Sequence, residues 1–272
     1  VPEFSDSPTP IITLTTDFGA ADGTVGAMIG VIKSICPEAE VVTIASDVPA
    51  HDIPRGAWAM MQAAPFFPAH AIHVGVVDPG VGSDRRGLLV TADRGIFIGP
   101  DNGLLSWALH RCRPERAFTL ENPDYRIAPI GVTFDGRDVF AAAAAHLAAG
   151  ADPQDFGPET DSMVELRWPE PRVGEQRIRG EILMVDNFGN LITNIPLTTV
   201  AETFADAPAR VVLANGMRAR MCASYAEIEG TLGALINGTG LIEIAGHETS
   251  AARLAGCARG DRVTVELQDS DE

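Results

Sequence analysis

The stretch Val74–Arg86, VGVVDPGVGSDRR, ends an apolar run in an aspartate and then turns through a proline and two glycines toward two arginines. Glycine beside charge lets a ligand approach the backbone, and Arg85 sits seven residues after Asp78, far enough on to return toward it. This loop is read as the reacting centre. Three other loops pair polar groups with glycine at the end of an apolar run: Asp17/Asp22, Asp135/Arg137 and Asp186/Asn190. An aspartate beside glycine is also an ordinary turn former, and Asp93 and Asp101 are assigned that role. The focal loop has no G-x-G-x-x-G and no lysine for a phosphate-binding loop. The chain has no G-x-S-x-G and no H-E-x-x-H, so no metal is expected. His70, His73, His110 and His146 read as core or surface residues.

The elements that must position these loops alternate. Ile11–Thr15 reads as a strand, and Val25, Met28, Ile29, Ile32 and Ile35 then recur at helical spacing. Glu40–Ala45 is a second strand, Ile53–Ala64 a helix with Pro54 near its start, and Ala71–Val77 a third strand leading into the focal loop. Gly87–Thr91 and Gly95–Ile98 flank a hairpin turn, and Leu104–His110 reads as a helix. After an irregular stretch, Gly131–Arg137 leads into an alanine-rich helix at 138–149. This predicts an α/β N-terminal domain, residues 10–155, with a mainly parallel sheet covered on both faces. Residues 156–176 close a stretch rich in Pro, Asp and Glu and read as a linker. Residues 177–270 carry short strands with turns, an all-β domain expected as a small barrel or sandwich.

The 272 residues carry a net charge of −17 and a single lysine, Lys33, which argues against a nucleic-acid partner. Cys36, Cys112, Cys222 and Cys257 form no C-x-x-C pair, which fits a reduced, cytoplasmic setting. No apolar run is long enough for a membrane span, and the opening VPEFSDSPTP lacks the features of a signal peptide.

Seven separated motifs in order carry a resemblance: TTDFG (15–19), DVPAHDI (47–53), VVDPGVGSDRR, GPDNGLLS (99–106), TFDGRDVFA (133–141), VDNFGNLITNI (185–195) and INGTGLIEIA (236–245). Over about residues 10 to 268 the chain resembles the S-adenosylmethionine hydroxide adenosyltransferases, relatives of the fluorinase and chlorinase enzymes. The resemblance implies a homotrimer with active sites at subunit interfaces, needing neither metal nor cofactor beyond its small-molecule substrate. Water or hydroxide attacks ribose C5′ of S-adenosyl-L-methionine, giving adenosine and L-methionine. Asp78 and Arg85 match the residues that activate water. Asp17 matches the ribose-diol acceptor, Asp22 and Asp186 the ammonium partners, and Asn190 an adenine-reading amide. Asn237 and Gly238 lie in the loop facing the methionine end, Tyr225 is a candidate to stack on adenine, and His51 occupies a position beside the nucleoside. One departure bears on the chemistry: Asp135 stands where the family usually has histidine. Asp135 replaces that base in one reading. In the other the pocket binds its ligand with little or no turnover. Asp78 in place of the halogenases' tyrosine disfavours halide chemistry.

Overall fold

The computed structural model describes residues 8–128, 132–205 and 207–268. Gly131, at the head of the GVTFDGR stretch, and the last two residues of the expected 177–270 domain lie outside them. The chain divides between Arg167 and Trp168 into two compact units.

In the first unit, the apolar runs become strands β1 (Ile11–Thr16), β2 (Glu40–Ala45), β3 (Ile72–Val76), β4 (Gly87–Ala92), β5 (Gly95–Pro100) and β6 (Pro114–Thr119). They form one sheet in the order β2-β1-β3-β5-β4-β6. β2, β1, β3 and β5 run parallel, and β4 is antiparallel to both its neighbours. Every residue of β3 is buried, the pattern of a parallel strand covered on both faces. On one face Leu14, Leu89 and Ile98 pack with Met28 and Ile32 of helix α1 (Thr24–Ile35). On the other Leu88, Val90 and Phe97 pack with Met60 of α2 (Ile53–Ala63) and Leu109 of α3 (Ser106–Arg111). The Asp52 side chain caps α2 by accepting from the Arg55 backbone N–H at 3.1 Å.

Three local features differ from the sequence reading. The stretch expected to be irregular contains β6, an edge strand that opens on proline and exposes its first three residues, so it lacks the alternation that marks a strand. The alanine-rich helix begins as a π-helical turn, Gly136–Ala141, before α4 (Ala142–Ala148). Much of the Pro/Asp/Glu-rich stretch is strapped to the sheet. Phe156 is in the core, Glu159 bridges Phe118, and Leu166 O accepts from the Trp107 indole at 3.0 Å. Composition alone carries no trace of these contacts.

The second unit is a closed barrel. Strands β8 (Arg177–Val185), β9 (Leu191–Pro196), β10 (Ala209–Leu213), β11 (Arg218–Met221), β12 (Leu232–Ile236), β13 (Leu241–Gly246) and β14 (Arg262–Leu267) run around the ring in the order β8-β9-β13-β12-β11-β10-β14, and β14 pairs with β8 to close it. The short β7 (Arg172–Val173) adds to β8. Ile178, Ile195, Val211, Ile242 and Val265 fill the interior. Helices α5 (Leu197–Phe204) and α6 (Ala251–Ala255) pack on the barrel. Among the described residues no helix is long and apolar enough to cross a membrane.

Candidate functional site

The focal loop leaves the C-terminal end of β3, where open α/β sheets bind ligands. Two successive turns fold it back: Val81 N–H donates to Asp78 O at 3.2 Å, and Ser83 N–H to Gly80 O at 3.1 Å. Gly82 sits at φ +80° with Val132 O 3.0 Å from where a Cβ would lie, so only glycine suits that position. Asn102 Nδ2 donates to Val77 O at 2.9 Å and fixes the strand end.

The turns return Arg85 to Asp78. Its Nε lies 2.8 and 3.1 Å from the two carboxylate oxygens, and its Nη2 lies 2.5 Å from Oδ2. The same Nη2 bonds Asp135, fifty residues on. Burial would lower the Arg85 pKa, but the bonds and charges of Asp78 and Asp135 outweigh it and hold the guanidinium above its ordinary value. The side chains of Asp78 and Arg85 are 4% and 13% exposed, that of Asp135 26%. Asp78 therefore spends its carboxylate on holding Arg85, while Asp135 keeps a face open. Asp135 opens the π-helical turn, and its neighbour Gly136 packs against the Phe18 ring, which meets Phe134 edge-on. Irregular helical turns of this kind recur at functional sites. Arg137 takes no part, because it pairs with Asp138 at 2.6 Å and lies over Phe134.

The loops after β1 and β2 hold a second group. Asp17 Oδ2 accepts from the His51 backbone N–H at 2.9 Å, and His51 sits at φ +67°, a conformation that non-glycine residues rarely adopt. Asp22 is exposed just ahead of α1.

The other expected residues belong to the barrel unit. Asp186 Oδ1 accepts from the backbone N–H groups of Phe188 and Asn190, and its Oδ2 accepts from Asn190 Nδ2 at 3.0 Å. The pair thus shapes its own loop. Asn237 Oδ1 accepts from Thr239 and Leu241, so this side chain builds the β12–β13 turn, and Gly238 faces open space. Tyr225 donates its hydroxyl to Glu243 at 2.5 Å. Burial first, then Glu243 and Asp186, push the phenol up to about 12. Burial and Asp186 also raise the Glu243 carboxyl, against the pull of the Tyr225 bond. Glu243 and the exposed Phe188 were not singled out in the sequence. Glu243 reads there as one polar residue in a strand, on the register opposite the interior Ile242 and Ile244.

His73 is buried, with Nδ1 2.9 Å from Thr13 Oγ1 and its ring stacked on Phe97. Burial lowers its pKa to about 4. No group of three or more potential metal ligands occurs among the described residues.

Fold and site together define a two-unit protein: an α/β sheet with a carboxylate–guanidinium–carboxylate centre at its C-terminal edge, followed by a seven-stranded barrel. Comparison with known proteins makes the assignment specific. The chain matches the SAM hydroxide adenosyltransferase N-terminal domain over residues 12–157 and the corresponding C-terminal domain over residues 180–264. It is 37% identical over 262 residues to a Salinispora tropica protein named (R)-S-adenosyl-L-methionine hydrolase, covering 95% of this chain and 98% of that one. A fluorinase from an Actinoplanes species is more distant, 27% identical over 220 residues, 71% of this chain and 74% of that protein. A crystal structure of an uncharacterized conserved protein from Thermotoga maritima has a TM-score of 0.87 at 29% identity, covering 94% of this chain and 99% of the other. This chain belongs to the SAM hydroxide adenosyltransferase family.

Proposed function

We propose that the protein hydrolyses S-adenosyl-L-methionine to adenosine and L-methionine by in-line attack of water on ribose C5′. The observation that carries this reading is the clamp of Arg85 on both Asp78 and Asp135 at the C-terminal edge of the sheet. A sulfonium leaves readily without protonation, so the task is to hold a water in line with C5′. Such positioning contributes up to about 7–11 kcal/mol. Asp78 fixes Arg85, Arg85 stabilises hydroxide character on the water oxygen, and the open face of Asp135 takes its proton. Asp135 then does the work of the family's usual histidine. A halide would meet carboxylates here, which disfavours halogenation.

In this reading Asp17 accepts the ribose diol with its free lone pairs, beside His51. Asp22 and Asp186 meet the methionine ammonium, the Asn190 amide oxygen accepts from adenine, and Tyr225 stacks on the base. Asn237 and Gly238 border the methionine end. The reading extends to a homotrimer with each site completed by a neighbouring subunit, and to reaction without metal or cofactor. The four unpaired cysteines support a cytoplasmic setting.

Incubating the purified protein with S-adenosyl-L-methionine should give adenosine and methionine in equal amounts, followed by chromatography. Retention of intact ligand without adenosine would overturn hydrolysis in favour of a binding protein, and 5′-chloroadenosine formed in chloride would point to halogenation. Asp78→Asn should lower kcat by about a hundredfold or more while substrate affinity stays nearly unchanged.

A further inference from the structure

The reaction above consumes a water and releases a proton at every turnover, since a sulfonium cation and neutral water yield uncharged adenosine, zwitterionic methionine and H⁺. A nucleoside held at Asp17 covers the β1 end of the sheet edge. Water needs another approach.

The α/β unit has a cavity of about 250 Å³ at the other end of that edge, over the start of β4 and the end of β6. β4 stands three strands from β1, about 14 Å at normal strand spacing. Arg85 and Asp135 are themselves part of the cavity wall, which also includes the buried Val139 and the exposed Ser83, Arg126 and Glu121. Its charges are largely answered. Arg85 is bound by Asp78 and Asp135, Arg86 pairs with Asp101 at 2.6 Å, and Arg126 and Glu121 bring one charge of each sign. Little net charge is left to select an ionic ligand. Polar walls with room for several molecules hold water. On the exposed side of the wall, Glu121 accepts from Thr119 Oγ1 at 2.8 Å, which steadies its carboxylate.

We propose that this cavity is the solvent port of the reacting centre, and that it works while substrate occupies the front. The inference rests on the hydrolytic reading given above. A water from the cavity forms its O–C5′ bond as the C5′–S bond breaks and that electron pair returns to sulfur. Its proton passes to Asp135, then through cavity water to Glu121 and bulk solvent.

Glu121 is the residue to change, because it is an exposed carboxylate of the cavity wall and touches no reacting atom. Glu121→Trp obstructs the exposed side of the cavity, whereas Glu121→Gln keeps the opening and removes the proton acceptor. The measurements are adenosine formation at saturating substrate, the dissociation constant for S-adenosyl-L-methionine, and the melting temperature of each variant. Glu121→Trp should slow turnover about tenfold or more with affinity held within about twofold, the size of effect that loss of proton transfer or access produces. Glu121→Gln should slow it less, and added imidazole should restore its rate, a rescue that a purely structural residue would not show. Wild-type turnover in Glu121→Trp, or an equal loss of turnover and affinity in both variants, would overturn the port while leaving hydrolysis standing. Absence of adenosine from the wild-type protein would overturn the hydrolytic reading and the port with it.

Discussion

Replacing Arg85 by methionine removes the guanidinium that Asp78 and Asp135 share and keeps a side chain of similar reach. Breaking a buried ion pair from one side costs about 3–5 kcal/mol, because the remaining charge stays buried without its partner. Asp78, 4% exposed, meets that condition, whereas Asp135, 26% exposed, is eased by water and adds little. The Arg85 side chain is itself 13% exposed, which places the expected loss at the lower end, about 3 kcal/mol. At about 2–4 °C per kcal/mol for a unit of this size, the melting temperature should fall by about 6–12 °C. Thermal and urea unfolding of Arg85→Met, Asp78→Asn and the double variant form a cycle. The double variant removes the stranded charge as well, so it should recover about 1–2 kcal/mol relative to Arg85→Met. In the same proteins kcat should fall about 10²–10³-fold in Arg85→Met, with substrate affinity within about threefold. A melting temperature within about 2 °C of the wild type, or additive losses in the double variant, would refute the view that this cluster is a coupled, buried unit.

Two further expectations concern buried groups outside that cluster. The His73 pKa is depressed from 6.5 to about 4, so the unfolded chain binds the extra proton between those values and stability falls as pH drops through that window. The full effect is about 3 kcal/mol, and His73→Leu should flatten the urea-unfolding profile there. An unchanged profile would mean the imidazole reaches solvent. Tyr225→Phe removes the hydroxyl bonded to Glu243 and should cost about 1–2 kcal/mol at pH 7 by urea unfolding, allowing for a half-exposed phenol. Because the Glu243 carboxyl is already raised, the cost should shrink as pH is lowered and the group protonates. A cost independent of pH would show that the bond does not depend on the carboxylate's charge.

Much was legible from local pattern. Strand and helix alternation before residue 150 and short strands after residue 177 announce an α/β unit and an all-β unit, because backbone period and turn residues are set within a few positions. The approach of Arg85 to Asp78 is legible for the same reason: seven residues with two glycines and a proline form a local turn. The motif order that places the chain in its family is likewise a property of the linear sequence.

Other features were decided by contacts between distant segments. Asp135 reaches Arg85 only because the π-helical turn at 136–141 packs on the sheet beside Phe18. Arg137, which shares a loop with Asp135 in the sequence, is drawn away by Asp138 next to it. The bond from Tyr225 to Glu243 joins the β11–β12 connection to β13, and Phe156 enters the core because its segment returns to the sheet. Asp186 and Asn237 turn their oxygens onto their own backbones, which residue type alone does not reveal. The linear order of residues determines which groups can meet across a turn. Packing decides which charges share a desolvated space, because that depends on every element that excludes water from it.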